Sequence, residues 1–178
     1  MKKKAAGRKR TAAAKPAKKR VSPIPRGYHS VTPAIMVRGA AGAIDFYKRA
    51  FGARERMRMA GPDGKVMHAE LRFGDSVVFL GDEMPDQGKP SPQTLGNATG
   101  SLHLYVPNVD VAVKRAVDAG ARVTMPIADM FWGDRYGKVT DPYGHEWGLA
   151  THKEDVTPAQ MKKRAAEFMK QMAGQPHA

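Results

Sequence analysis

The side chains in this sequence best placed for acid–base or metal chemistry fall into a pattern. The run His68-Ala69-Glu70-Leu71-Arg72 alternates polar with apolar residues, the period of a strand with one polar face. Phe73-Gly74-Asp75-Ser76 reads as a two-residue hairpin turn between apolar runs. Such a turn sets Arg72 opposite Val77, Glu70 opposite Phe79 and His68 opposite Gly81, and directly opposed residues share a face. Farther on, His103 and Tyr105 alternate within Ser101-Leu102-His103-Leu104-Tyr105-Val106, and Glu146 opens the last apolar run. Imidazole and carboxylate groups on facing strands can hold a divalent ion or move a proton. The same residues can equally form an internally paired polar lining, and that is the reading preferred here. Phe131-Trp132-Gly133-Asp134-Arg135 adds an aromatic wall, since a strand start beside Gly is where backbone opens toward a ligand. Arg135 is taken as a further group that fixes the ligand there.

Two copies of one plan position these residues. The first runs from Ser30–Val37 through a helical stretch at Ala43–Ala53 to two apolar runs ending near Leu80. The second runs from Ser101–Val106 through Val109–Ala121 to two more runs ending near Ala150. Each is expected to be a strand, a helix closed by Gly and three strands, with neither copy burying its apolar face alone. Ala43, Phe46, Tyr47 and Ala50 make one helical stripe before Gly52, and Val109, Val113, Ala116 and Val117 make the other before Gly120. Asn108 is the expected cap of the second helix. Residues 85–100, rich in Pro and Gly, read as a linker between modules at 28–84 and 101–154. Residues 155–178 carry a final helix from about Ala159 to Met172, capped by Thr157, with Met161, Ala165, Phe168 and Met172 in one stripe. The fold class is therefore α+β: two βαβββ modules with paired curved mixed sheets around a central cavity, plus a C-terminal helix.

The net charge of +13 over 178 residues divides unevenly. Residues 1–26 hold eleven Lys or Arg and no acid, so taking eleven from +13 leaves +2 for the rest. This Lys/Ala/Pro segment, residues 1–27, has too little apolar surface to offset the entropy of ordering and is expected to be disordered. It suits nonspecific contact with a polyanion such as nucleic acid, or a solubilising or vestigial extension, the reading slightly preferred because no aromatic interleaves its charges to stack on a base. The chain has no cysteine, which excludes disulfides and thiolate-bound zinc. No apolar run reaches the roughly 18 residues of a membrane helix, so no membrane contact is expected and the cytoplasm is the expected compartment.

The helix end Phe46-Tyr47-Lys48-Arg49-Ala50-Phe51-Gly52 and the run Asp141-Pro142-Tyr143-Gly144-His145-Glu146-Trp147 resemble the vicinal-oxygen-chelate superfamily of glyoxalases, extradiol dioxygenases and bleomycin- and fosfomycin-resistance proteins. Phe131–Arg135 followed by that run resembles its PhnB-like branch. The resemblance spans residues 30 to 154 and implies metal ligands on the first and fourth strands of each copy. Carried onto this sequence, those positions are Thr32, Phe79, His103 and Gly148. Only His103 has the donor such an ion needs. A displaced set, His68, Glu70, His103 and Glu146, lies one residue pair away, about 6–7 Å along each strand.

The resemblance thus implies a small-molecule binder with His68, Glu70, Phe79, His103, Tyr105, Phe131, Trp132, Arg135 and Glu146 around the ligand and no cofactor. The alternatives are a lyase, isomerase or dioxygenase with one divalent metal ion, and a polyanion-associated protein acting through its tail. Homodimers are common among paired-module proteins of this kind, and one is expected here.

Overall fold

The hydrophobic period of each segment sets its partner in the computed structural model, which describes residues 21–173. The first module runs β1 (Ala34–Val37), α1 (Ala40–Phe51), β2 (Arg54–Ala60), β3 (Val66–Phe73) and β4 (Ser76–Asp82). A 3-10 turn at Pro85–Gln87 and a short helix α2 (Pro92–Leu95) follow. The second module runs β5 (Ser101–Tyr105), α3 (Val109–Asp118), β6 (Arg122–Asp129), β7 (Asp134–Thr140) and β8 (Glu146–His152), and α4 (Pro158–Ala173) ends it. The sheets are ordered β1-β4-β3-β2 and β5-β8-β7-β6, each with its first strand parallel to its last and antiparallel pairs elsewhere. The α+β architecture of two βαβββ modules read from the sequence is the one observed. Among the described residues no helix is long and apolar enough to cross a membrane. Residues 1–20 of the expected disordered tail lie outside the described residues.

Both helices pack on one face of their sheets and against each other. Ala43, Ile44, Phe46, Tyr47 and Ala50 of α1 and Val109, Ala112, Val113 and Ala116 of α3 join Leu71, Phe73, Leu80, Val139, Trp147 and Leu149 in one core. Val117, expected in the α3 stripe, stays 43% exposed, and Ala112 is buried instead. The Asn108 side chain accepts from Val111 N at 3.1 Å, as its capping role requires. The linker is not featureless: the Ser91 hydroxyl caps α2, and the Glu83 carboxylate holds Ser91 N at 2.9 Å and the Thr94 hydroxyl at 2.5 Å.

Asp141 ties the modules together. It is 4% exposed and accepts from the Tyr47 hydroxyl at 2.7 Å and Trp147 Nε1 at 2.9 Å on one oxygen. Its other oxygen accepts from the backbone of Tyr143 and His145 at 2.8 and 2.9 Å, closing the Asp-Pro-Tyr-Gly turn. Burial, then the neighbouring carboxylate, holds the Tyr47 phenol well above its usual range, so it remains a donor.

The hairpin register follows the turn chemistry, with Arg72 opposite Val77 and Glu70 opposite Phe79. β1 is shorter than the expected Ser30–Val37, because Pro33 contributes only its carbonyl, which accepts from Phe79 N at 2.8 Å. On α4, Thr157 and Gln160 form a reciprocal cap, and Phe168 packs on Phe131 with ring centroids 5.2 Å apart.

Candidate functional site

Each sheet has a second face, turned away from the helices, and the polar and aromatic residues gather there. On the second sheet, the register puts His103 beside Gly148 and Gly148 beside Lys138. The next row is Tyr105, Ala150 and Tyr136, and the last pair is Asp134 with His152. His103 and Tyr136 stack with centroids 5.4 Å apart and planes 6° from parallel, and Tyr105 lies 4.7 Å from the same imidazole. Trp132 meets Tyr136 at 5.8 Å, and Phe131 stands against Trp132 at 5.0 Å. Such ring pairs contribute about 0.5–1.5 kcal/mol each beyond their buried area. They form a continuous aromatic surface from Phe131 to Tyr105.

Asp134 organises that surface from beneath. Only 4% exposed, it accepts from the Tyr105 hydroxyl at 3.1 Å and Trp132 Nε1 at 3.0 Å, and it holds His152 Nδ1 at 2.7 Å. The other imidazole nitrogen of His152 lies 3.0 Å from Asp155. Hydrogen bonds to Asp134 and then Asp155 raise the His152 pKa above its ordinary value. Burial and the Asp134 bond likewise raise the Tyr105 phenol. Lys138 donates to Glu146 at 2.8 Å across the sheet.

The first sheet's open face holds His68, Glu70 and Phe79. Tyr28 crosses this face and donates its hydroxyl to Glu70 at 2.5 Å, and Arg56 stands 4.5 Å over the Tyr28 ring and 3.6 Å from Glu70. His68 packs edge-on to Phe79 at 4.9 Å and lies 3.6 Å from Glu70. Glu70, 8% exposed, is thus a paired carboxylate.

The structure therefore divides the residues singled out in the sequence. His68, Glu70 and Phe79 share the first face; His103, Tyr105, Phe131, Trp132 and Glu146 share the second. The displaced metal set His68, Glu70, His103 and Glu146 does not converge: among the described residues no three His, Cys, Asp or Glu side chains could hold a metal ion. Parity along each strand was right, but the two faces belong to different sheets. Arg135 is one residue out of phase with Asp134 and Tyr136. Its guanidinium leaves the aromatic surface to clasp Asp110 of α3 with two bonds of 2.8 Å and Asp129 at 3.2 Å, and these pairs raise its pKa. Gly133, expected to open backbone toward a ligand, instead receives the chain itself, with Lys153 and Glu154 donating to its carbonyl at 2.9 and 3.0 Å. Its φ of 98° and the closeness of the Glu154 carbonyl leave no room for a side chain.

Sequence reasoning missed Asp134 and Tyr136. The signal was the alternation Asp134, Tyr136, Lys138 opposite His152, Ala150 and Gly148, which puts all three on the His103 face.

The four positions that the resemblance marks for a metal do not fit one. Thr32 and His103 line a single groove of about 380 Å³ between the modules, together with Val77 and Tyr105. Phe79 is packed by Tyr28 and His68, and Gly148 has no donor at all. The room a side chain at Gly148 would need is filled by Tyr136, whose hydroxyl oxygen lies 2.7 Å from the position of a Cβ there.

The Glyoxalase/Bleomycin resistance protein/Dioxygenase superfamily model matches residues 28–149. The chain belongs to this superfamily. An uncharacterized Mycobacterium tuberculosis protein, Rv0887c, is 45% identical over 130 residues, 71% of this chain and 76% of its own. The Arabidopsis thaliana protein At5g48480 is 34% identical over 123 residues, 65% of this chain and 73% of its own. The crystal structure of that Arabidopsis gene product superposes with a TM-score of 0.56 at 28% identity, covering 69% of this chain and 98% of that one. A Bacillus cereus PhnB protein shares the fold at 18% identity, with a TM-score of 0.54, over 69% of this chain and 99% of that one. Superfamily membership fixes the scaffold; the side chains on the open faces must settle the chemistry.

Proposed function

We propose that this superfamily member binds a small organic molecule on the aromatic face of its second module, without a catalytic metal. One observation carries the reading: Tyr136 lies over Gly148 and stacks on His103, so a ring stands where the fold's last ligand would reach an ion. His103 is then a stacking and hydrogen-bonding group, open to a flat ligand laid along Tyr105, Tyr136 and Trp132. The Lys138–Glu146 pair and the Tyr105 hydroxyl are the polar groups available to orient it. A few placed polar groups on an apolar wall are the usual makeup of a small-molecule site. The work is assigned to the cytoplasm, in keeping with a cysteine-free chain. Residues 1–26 add nonspecific affinity for polyanions.

The test pairs elemental analysis with ligand screening. Protein purified without chelator is expected to carry no stoichiometric transition metal. Aromatic small molecules should shift the Trp132 indole and His103 ring signals, and His103→Ala should weaken them about tenfold or more. One metal equivalent per chain, lost in His103→Ala, would overturn the reading in favour of a metal enzyme.

A further inference from the structure

The first sheet carries three arginines, at the end beside the β3–β4 turn, that the aromatic surface does not use. Arg54 and Arg72 are direct cross-strand partners. Like charges directly opposed destabilise a sheet unless something compensates them. The register shift between Glu55 and Met57 makes Arg56 the extra residue of a bulge, and a bulge re-aims its side chain. Arg56 accordingly reaches Tyr28 and Glu70, on the same face as Arg54 and Arg72.

All three arginines line one cleft of about 580 Å³, with Gly52 and Gly74 as its remaining walls. No acid lines it. Arg56 is ion-paired with Glu70 at 3.6 Å, and that carboxylate also accepts from the Tyr28 hydroxyl, so the uncompensated charge of the cleft is that of Arg54 and Arg72. Among the described residues Arg54 and Arg72 make no ion pair, and the one side-chain bond of Arg72 is Nε to the Gly74 carbonyl at 2.9 Å. A fourth guanidinium stands at the rim, where Arg115 donates to the Ala50 carbonyl at 2.6 Å beside Gly52. That bond also satisfies a carbonyl at the α1 C-terminus, whose partial negative charge would otherwise oppose an anion.

We infer that this cleft binds the phosphoryl group of a small organic phosphate. A guanidinium fork matches phosphoryl oxygens in pairs, and a dianion compensates both members of the opposed Arg54–Arg72 pair where one carboxylate leaves one uncompensated. The site belongs to the first module and does not depend on the aromatic surface of the second.

The test uses the full-length chain and inorganic pyrophosphate as the probe, at ionic strength held constant with sodium chloride. Because residues 1–26 also attract anions, the readout is local: the Gly52 and Gly74 amides and the arginine Nε signals in NMR spectra. Saturable shifts at these groups are expected, with inorganic phosphate weaker and acetate without effect. Arg54→Gln and Arg72→Gln should each weaken binding about tenfold or more. Their melting temperatures without anion should equal or exceed that of the parent, since each removes a like-charge contact. Shifts confined to the tail, shifts reproduced by chloride, affinity unchanged in both variants, or equal binding of acetate would overturn the assignment. Loss here with ligand binding retained at Trp132 would remove this site alone and leave the second-module reading intact.

Discussion

Tyr136 and Gly148 are complementary: the phenol ring of one occupies the volume that a side chain on the other would fill, 2.7 Å from oxygen to the position of a Cβ. The pair lays an aromatic ring against His103 where a side chain on β8 would otherwise stand. Gly148→Ala should therefore push Tyr136 off His103, at a cost of about 1–3 kcal/mol for overpacking. A lower melting temperature together with movement of the His103 ring resonances would bear this out. A variant as stable as the parent, with the stack unchanged, would show that the ring does not need the glycine.

Asp141 is the second point where one residue decides much. Its carboxylate satisfies two backbone amides, one phenol and one indole, all inside the shared core. Asp141→Ala leaves those donors unpaired and should cost about 3–5 kcal/mol in urea unfolding. Tyr47→Phe removes one donor and leaves a paired carboxylate, so its cost should be near 1 kcal/mol. The reverse ranking would mean that the core bond to Tyr47, not the turn, carries most of what Asp141 supplies.

Much of this was legible in the sequence because local chemistry decided it. The Gly-Asp turn at 74–75 set the register of β3 and β4, and the helical stripes found α1 and α3. Asn108 and Thr157 marked their helix starts through side-chain acceptors. What was not legible depended on long-range contact. Arg135 looked like a ligand-binding cation until Asp110, 25 residues earlier, was seen to hold it. His68 and Glu70 share parity with their neighbours in sequence, but parity says nothing of which sheet faces which. Asp134 was passed over because its three partners, Tyr105, Trp132 and His152, meet only in the fold.

Two ionisable groups should make the stability depend on pH in opposite directions. Glu83 is held down to about 2 by the Thr94 hydroxyl, Arg38 and Ser91, against an ordinary value of 4.5. A depressed carboxylate contributes fully above 4.5 and loses that contribution as pH falls toward about 2. His152 is raised above 6.5, so its contribution is full below 6.5 and fades as pH rises through its folded value. Glu83→Gln should flatten the acid limb of a melting-temperature profile, and His152→Gln the limb just above neutrality. NMR titration placing His152 at or below 6.5 would contradict the Asp134–His152–Asp155 bridge.

The open faces leave apolar surface that calls for a partner, and a second copy of this chain is the proposed one. Met57 and Met59 on the first sheet are 42% and 49% exposed, and Tyr105 on the second is 61% exposed. On α4, Phe168 is covered by Phe131, while Met169 and Met172 remain 64% and 50% exposed. Exposed apolar side chains grouped in this way often mark contacts, and two-fold pairing through Met57 and Met59 or through α4 would cover them while leaving the ligand-binding surfaces open. Light scattering at micromolar concentration should return twice the 19.4 kDa chain mass. Removing residues 157–178 separates the two candidate surfaces. Loss of the dimer would place the interface on α4, whereas a dimer that survives the truncation and fails in a Met57→Lys, Met59→Lys double variant would place it on the open sheet face. A monomer at every concentration in the full-length chain would refute the pairing.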